Sequence, residues 1–224
     1  MIHPVLIEMD AMPAIEAEDT LSRTEMDIYR NMVNEGRRRE FLYGRYAIKK
    51  SLLEHFIGEQ KAFDQITVDY GVLRYPILRD HVVEVGLSHS KQYILAVLYT
   101  KDQLVGVDVE TIRDGIPVDD MLSEAEQALI AQAGFREAFG YMFFSCKEAL
   151  GKALRMGLLA DYPVYEISGI ARDGRFQRSV YRLKFAWFPF LTGYCFMKNE
   201  MEICSIVVPA KMDIEAALAA LMAS

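Results

Sequence analysis

Residues 2–8 (IHPVLIE) carry a short apolar run, Val5 to Ile7, closed by Glu8, which reads as a short strand. The chain then changes period. Ser22-Arg-Thr-Glu25 has the S-x-x-E form of a capping box and opens a helix to about Val33, with a second helix over about 37–56. Four segments rich in Val, Ile and Tyr, at 66–70, 82–87, 93–99 and 103–110, read as strands. Ser123-Glu-Ala-Glu126 repeats the capping pattern before a helix, a break at Gly134 and a long helix over about 136–156. Strand patterns at 164–171, 179–188, 193–198 and 202–208 follow, and a helix over 214–223 closes the chain.

The second half therefore restarts like the first. Leu21-Ser-x-x-Glu precedes a helix with Arg45 and Lys49 four apart, and Leu122-Ser-x-x-Glu precedes one with Glu148 and Lys152 four apart. S-x-x-E is a common pattern, so coincidence is the competing explanation. The repeat predicts an α+β fold of two similar subdomains, each an antiparallel sheet plus a long helix, about a pseudo-twofold axis. The division is expected at 1–103 and 104–224, with a ligand site at the interface, where pockets commonly form. No Pro- or Ser-rich linker separates the halves.

Composition narrows the function classes. The 224 residues are 52% apolar and carry a net charge of −7, which fits a globular core and excludes disorder. An acidic chain lacks the cationic surface that general nucleic-acid binding needs, so no nucleic-acid partner is expected. Three cysteines with no CxxC suit a reducing compartment. The N-terminus has no cationic signal-peptide region, and the greasiest stretch, about 185–197, is short and broken by Pro189 and Gly193. A cytoplasmic protein with no membrane partner is the expectation.

Four segments could carry chemistry. Residues 36–50 (GRRREFLYGRYAIKK) hold six cations against one anion, Glu40. At about 100° per residue, Arg38, Arg45 and Lys49 fall on one line flanked by apolar side chains, in the middle of the apolar face rather than opposite it. Three explanations stand: a buried salt bridge to some carboxylate, side chains snorkelling out past the apolar flanks, or a site for a polyanion such as phosphate.

In VGVDVE (105–110), Asp108 and Glu110 leave the same face of a strand. Paired hard oxygens suit Mg²⁺, and two solvated acids at a strand end are the plainer alternative. In FFSCKEALGK (143–152), Glu148 and Lys152 share a face with Tyr141, Phe144 and Arg155, away from the stripe of Phe143, Cys146 and Leu150. Taken alone they are a weak surface pair.

Gly86-Leu-Ser-His-Ser90 approximates a hydrolase nucleophile elbow. It lacks the last Gly, is followed by a strand rather than a helix, and no histidine stands downstream of His89. His89 reads better as a phosphate or hydroxyl partner, or as a turn histidine between capping serines.

Together FLYGRYAIKK (41–50), LSHS (87–90), VGVDVE and FFSCKEALGK resemble, in order and spacing, the 4′-phosphopantetheinyl transferases of the long, single-chain Sfp type. The resemblance spans residues 20 to about 160 and implies the two-subdomain fold of that family. It also implies Mg²⁺-dependent transfer of the phosphopantetheine arm of coenzyme A to a serine of an acyl or peptidyl carrier protein, releasing 3′,5′-ADP. Asp108, Glu110 and Glu148 match the family's metal carboxylates. Glu148 also matches its proposed general base, for which a metal-linked water is the rival, and Lys152 matches the pyrophosphate lysine. Ser88 and His89 match residues near the 3′-phosphate, and Arg38, Arg45 and Lys49 are expected on the nucleotide phosphates.

Many relatives carry Gly-Lys-Pro before the SHS motif. Here Arg74-Tyr75-Pro76 stands there, so Arg74 is the expected substitute, and Phe144 replaces a frequent Trp. The family implies a monomer acting in fatty acid, polyketide or non-ribosomal peptide biosynthesis. A catalytically silent CoA-binding protein of the same fold is the alternative.

Overall fold

A computed structural model describes residues 2–58, 61–113, 118–133 and 138–224. The chain divides into two compact units, Met1–Asp102 with Ile214–Ser224, and Gln103–Asp213. The expected cut at 103 needs one correction: the C-terminal helix, expected in the second half, belongs to the first unit.

The first unit opens with β1 (Ile2–Glu8), a single turn α1 (Ala17–Thr20), α2 (Arg23–Arg30) and α3 (Glu35–Leu52). A small hairpin of β2 (Asp69–Tyr70) and β3 (Pro76–Ile77) leads into β4 (Val83–His89) and β5 (Tyr93–Thr100). The strands form an antiparallel sheet in the order β1-β5-β4. Ala47, Ile48 and Leu52 of α3 share a core with Ile94, Ala96 and Leu98, the alternate residues of β5. The strand expected at 66–70 keeps only its last two residues.

The second unit holds β6 (Gly106–Thr111), α4 (Glu124–Gln132), α5 (Ala138–Ala153), β7 (Ile167–Arg172), β8 (Val180–Phe185), β9 (Leu191–Met197) and β10 (Glu202–Pro209). Its antiparallel sheet runs β6-β10-β9-β8-β7, and α5 lies on β6, β10 and β9. The break at Gly134 and the helix start at 136 lie outside the described residues. Gly106 brings α5 and β6 together, since a Cβ there would sit 1.9 Å from the Ala149 carbonyl oxygen and 2.5 Å from the Ala153 nitrogen. The chain then returns to the first unit as α6 (Glu215–Ala223), which buries Ala217, Leu218 and Leu221 and packs on β1. Among the described residues, no helix is long and apolar enough to cross a membrane.

Each unit contains the same buried latch. Ser22 and Ser123 cap α2 and α4, and each helix completes a capping box through Glu25 or Glu126. Oε2 of Glu25 accepts from the Ser22 nitrogen at 2.8 Å and from Lys49 Nζ at 2.5 Å, and its Oε1 accepts from the Val68 nitrogen at 3.0 Å. Oε2 of Glu126 likewise accepts from the Ser123 nitrogen at 2.8 Å and from Lys147 Nζ at 2.7 Å, and its Oε1 from the Ile167 nitrogen at 2.8 Å. Each lysine also donates to a backbone carbonyl just before its capping serine, Thr20 or Met121. The internal repeat thus carries a corrected register: Lys147, not Lys152, is the counterpart of Lys49.

Candidate active site

The second unit gathers the four acidic and basic residues singled out there, Asp108, Glu110, Glu148 and Lys152, around one end of β6. Asp108 and Glu110 stand two apart on that strand, opposite Ser205 and Ile203 of β10. Gly106, on the same face, sets how closely α5 can approach, and α5 supplies Glu148 and Lys152. Lys152 Nζ donates to Asp108 Oδ1 at 2.6 Å. Asp108 is buried, while the lysine side chain keeps 29% of its exposure.

The carboxylates burden one another. Burial, then the negative charge of Asp108, with a smaller push from Glu148, raises the Glu110 carboxyl to about 7, against the opposing pull of Lys152 and Arg113. Burial also lifts Glu148 above the usual carboxylate range, with Asp108 adding to it and Lys152 opposing. Three half- to fully buried carboxylates thus face one close ammonium group. Tyr141 was expected on this polar face of α5. It is buried instead, and its hydroxyl donates to the Arg113 carbonyl and accepts from the Arg113 nitrogen at 3.1 Å, tying α5 to the chain beyond Glu110. Behind Asp108, Ser205 Oγ accepts from Ser145 Oγ at 2.8 Å and lies 3.0 Å from Cys195 Sγ, a buried polar chain that no motif announced.

Hard oxygen donors carrying surplus negative charge have the chemistry a divalent cation such as Mg²⁺ requires. Among the described residues, no three His, Cys, Asp or Glu side chains converge as a metal cluster. The Lys152 ammonium takes the place at Asp108 that a cation would share. The donor set fits in charge and type, with Lys152 as the present partner of Asp108.

The cationic stripe of the first unit separates into distinct roles. Lys49 is fully buried and engaged by Glu25 and Thr20, so it is removed from the expected phosphate contacts; the buried salt bridge accounts for it. Burial pulls its pKa down, with Glu25 opposing. Arg38 is also withdrawn: its Nε and Nη2 donate to the Tyr29 and Arg30 carbonyls at 3.2 and 3.3 Å, closing the C-terminus of α2.

Arg45 remains. It is 2% exposed, its Nε lies 3.2 Å from Glu25 Oε1, and its guanidinium lies 4.3 Å from the Phe41 ring centre and 4.9 Å from that of Tyr70. Among the described residues, Arg45 Nε and Nη2 make no hydrogen bond. It borders a recess of about 140 Å³ that is also lined by Arg37, Glu40 and His89. Arg37, passed over in the sequence because it lies off the stripe, is thereby added to the cationic set. Ser88 is buried at the end of β4. His89 is partly exposed with Nδ1 3.6 Å from Glu40, and Ser90 Oγ accepts from the Tyr93 nitrogen at 3.1 Å to cap the turn into β5. Arg74 is exposed at the tip of the β2–β3 hairpin, in the left-handed region at φ 61°.

Residues 104–195 match the family model of the 4′-phosphopantetheinyl transferase superfamily. The holo-[acyl-carrier-protein] synthase of Bacillus subtilis is 36% identical over 88 residues, which are 36% of this chain and 72% of that one. The chain belongs to the 4′-phosphopantetheinyl transferase superfamily. The holo-[acyl-carrier-protein] synthase of Staphylococcus aureus is 29% identical to this transferase over 110 residues, 43% of this chain and 92% of the other. A crystal structure of the Thermotoga maritima holo-[acyl-carrier-protein] synthase aligns at 23% identity with a TM-score of 0.36, covering 47% of this transferase and 67% of that protein. The family match contains Asp108, Glu110, Glu148 and Lys152 and leaves the recess at Arg45 outside it.

Proposed function

We propose that this transferase moves the phosphopantetheine arm of coenzyme A to a serine hydroxyl of an acyl or peptidyl carrier protein, with Mg²⁺ as cofactor. The observation that carries this reading is the cluster of Asp108, Glu110 and Glu148 about Lys152, inside the segment that matches the family. The serine oxygen forms a new bond to the phosphorus bearing pantetheine. The bond from that phosphorus to the nucleotide phosphate breaks, and 3′,5′-ADP leaves with the electron pair. The serine proton passes to Glu148, whose raised pKa suits a group that must accept a proton near neutrality.

Asp108, Glu110 and Glu148 would hold the divalent cation, which supplies charge stabilisation at the pyrophosphate when bound. Lys152, freed from Asp108, would pair with a pyrophosphate oxygen. In the first unit, Arg45, Arg37 and His89 suit the phosphate borne on the ribose of coenzyme A. Ser88 is assigned beside them, and Arg74 is assigned the role of the absent lysine. The three cysteines are buried and unpaired, as suits the cytoplasm.

The test is Glu148→Gln. It should bind coenzyme A as the wild type does by calorimetry, while transfer falls by about 10²–10⁴-fold, the range for losing a general base. Undiminished transfer would remove Glu148 from its role.

A further inference from the structure

The two latches differ in one respect. In the second unit one buried lysine, Lys147, meets one buried carboxylate, Glu126. In the first, two buried cations, Lys49 and Arg45, meet the single carboxylate of Glu25. Arg45 stands four residues before Lys49, and the equivalent position before Lys147 is Phe143, a core residue. The first latch is the second with a cation added, and it carries a surplus positive charge in a desolvated place.

A buried cation whose donors are unmatched is costly unless an anion completes it. Glu25 Oε1 meets Arg45 on its Nε edge, and two aromatic rings lie against the guanidinium, while the recess with Arg37, Glu40 and His89 lies beyond. Among the described residues Glu40 is the carboxylate lining that recess, and it lies 3.6 Å from His89 Nδ1.

We propose that Glu25 is a positioning residue for anion binding: it holds Arg45 by the Nε edge, so that the guanidinium is fixed at the recess to receive a phosphate monoester. That the monoester belongs to a nucleotide rests on the function proposed above. Lys49 meets the oxygen of Glu25 that Arg45 does not reach, so the surplus positive charge of the latch lies with Arg45. A guanidinium held in advance loses less freedom when it binds, which converts directly into affinity. The latch of the second unit, lacking the arginine, acts only to join α4, α5 and β7.

Calorimetry with 3′,5′-ADP and 5′-AMP tests this on the full chain, since the two probes differ by one phosphate monoester. The wild type should prefer 3′,5′-ADP, and Arg45→Met should abolish the preference. Glu25→Gln combined with Lys49→Met removes the latch carboxylate and one of its two cations, leaves Arg45 unheld, and should lower the preference about tenfold, the scale of one charge-assisted contact. Glu126→Gln with Lys147→Met should leave the preference as in the wild type. A folded Glu25→Gln/Lys49→Met protein with the full preference would show Glu25 to be merely structural and overturn the proposal. If that protein does not fold, Glu25→Asp decides by the same measure: a reduced preference supports positioning and an intact one overturns it. A wild type with no preference for the extra phosphate overturns the proposal alone, because phosphopantetheine transfer to a carrier protein is scored separately.

Discussion

Lys152 and Asp108 meet at 2.6 Å, joining α5 to β6 through a partly exposed lysine and a buried carboxylate. Both neighbours of this pair are acidic, so the lysine is the close counter-ion for Asp108, Glu110 and Glu148 together. Replacing it by Met should lower the melting temperature of the metal-free protein by about 2–4 °C, as about 1 kcal/mol does in a chain of this size. Added Mg²⁺ should raise it by more in Lys152→Met than in the wild type. Equal Mg²⁺ shifts in differential scanning would contradict the view that lysine and cation serve the same charge.

Gly106 sets the spacing of that pair. An alanine Cβ would collide with the Ala149 carbonyl and the Ala153 nitrogen, both backbone atoms of a fixed helix. Gly106→Ala should cost about 3 kcal/mol in urea unfolding, at the upper end for overpacking, because α5 must move off β6. Gly174→Ala, where a Cβ meets nothing within 4 Å, should change stability by less than about 0.5 kcal/mol.

Glu110 sets a pH dependence. Its carboxyl is raised to about 7 by burial and by Asp108 and Glu148. Between the ordinary glutamate value and about 7 the folded chain holds a proton that the unfolded chain has released. Stability from this group therefore falls as pH rises through that window and is lowest above it. Thermal scans of metal-free protein should show this decline, and Glu110→Gln should flatten it. Mg²⁺ should stabilise the wild type more at pH 8 than at pH 5.5.

The latch of the second unit offers a cycle. Glu126→Ala strands the buried Lys147 ammonium and should cost about 3–5 kcal/mol, whereas Glu126→Gln with Lys147→Met should cost much less, because no buried charge is left over. Urea midpoints for the single and double variants check this. A double variant as unstable as the single would mean that the bonds to Ser123 and Ile167 matter more than the charge.

Most of the architecture was legible because its periods are strong: both capping boxes, both long helices and eight of the strands stand where the pattern puts them, within a few residues. The carboxylate pair of β6 was legible too, because two acids at i and i+2 on a strand share a face, while Glu148 was joined to them only by the family resemblance. Long-range pairing was not legible. Nothing local marks Glu25 or Glu126 as more than a capping residue, so Lys49 read as a phosphate contact although its partner lies in another helix. The signal that could have exposed the latch is Lys147, a lysine on the buried side of α5 among Phe143, Cys146 and Leu150, in the place Lys49 occupies on α3. Arg37 was missed for the converse reason: it is off the stripe, and only the fold brings it beside Arg45 and His89.

The central claim is phosphopantetheine transfer. Intact-mass measurement of purified apo carrier proteins, of acyl and peptidyl types, after incubation with this protein, coenzyme A and Mg²⁺ tests it most directly. The account predicts a gain of one phosphopantetheine on the carrier serine, abolished by EDTA and by replacing that serine with alanine. Unchanged carrier masses, with a folded protein that binds coenzyme A, would contradict it.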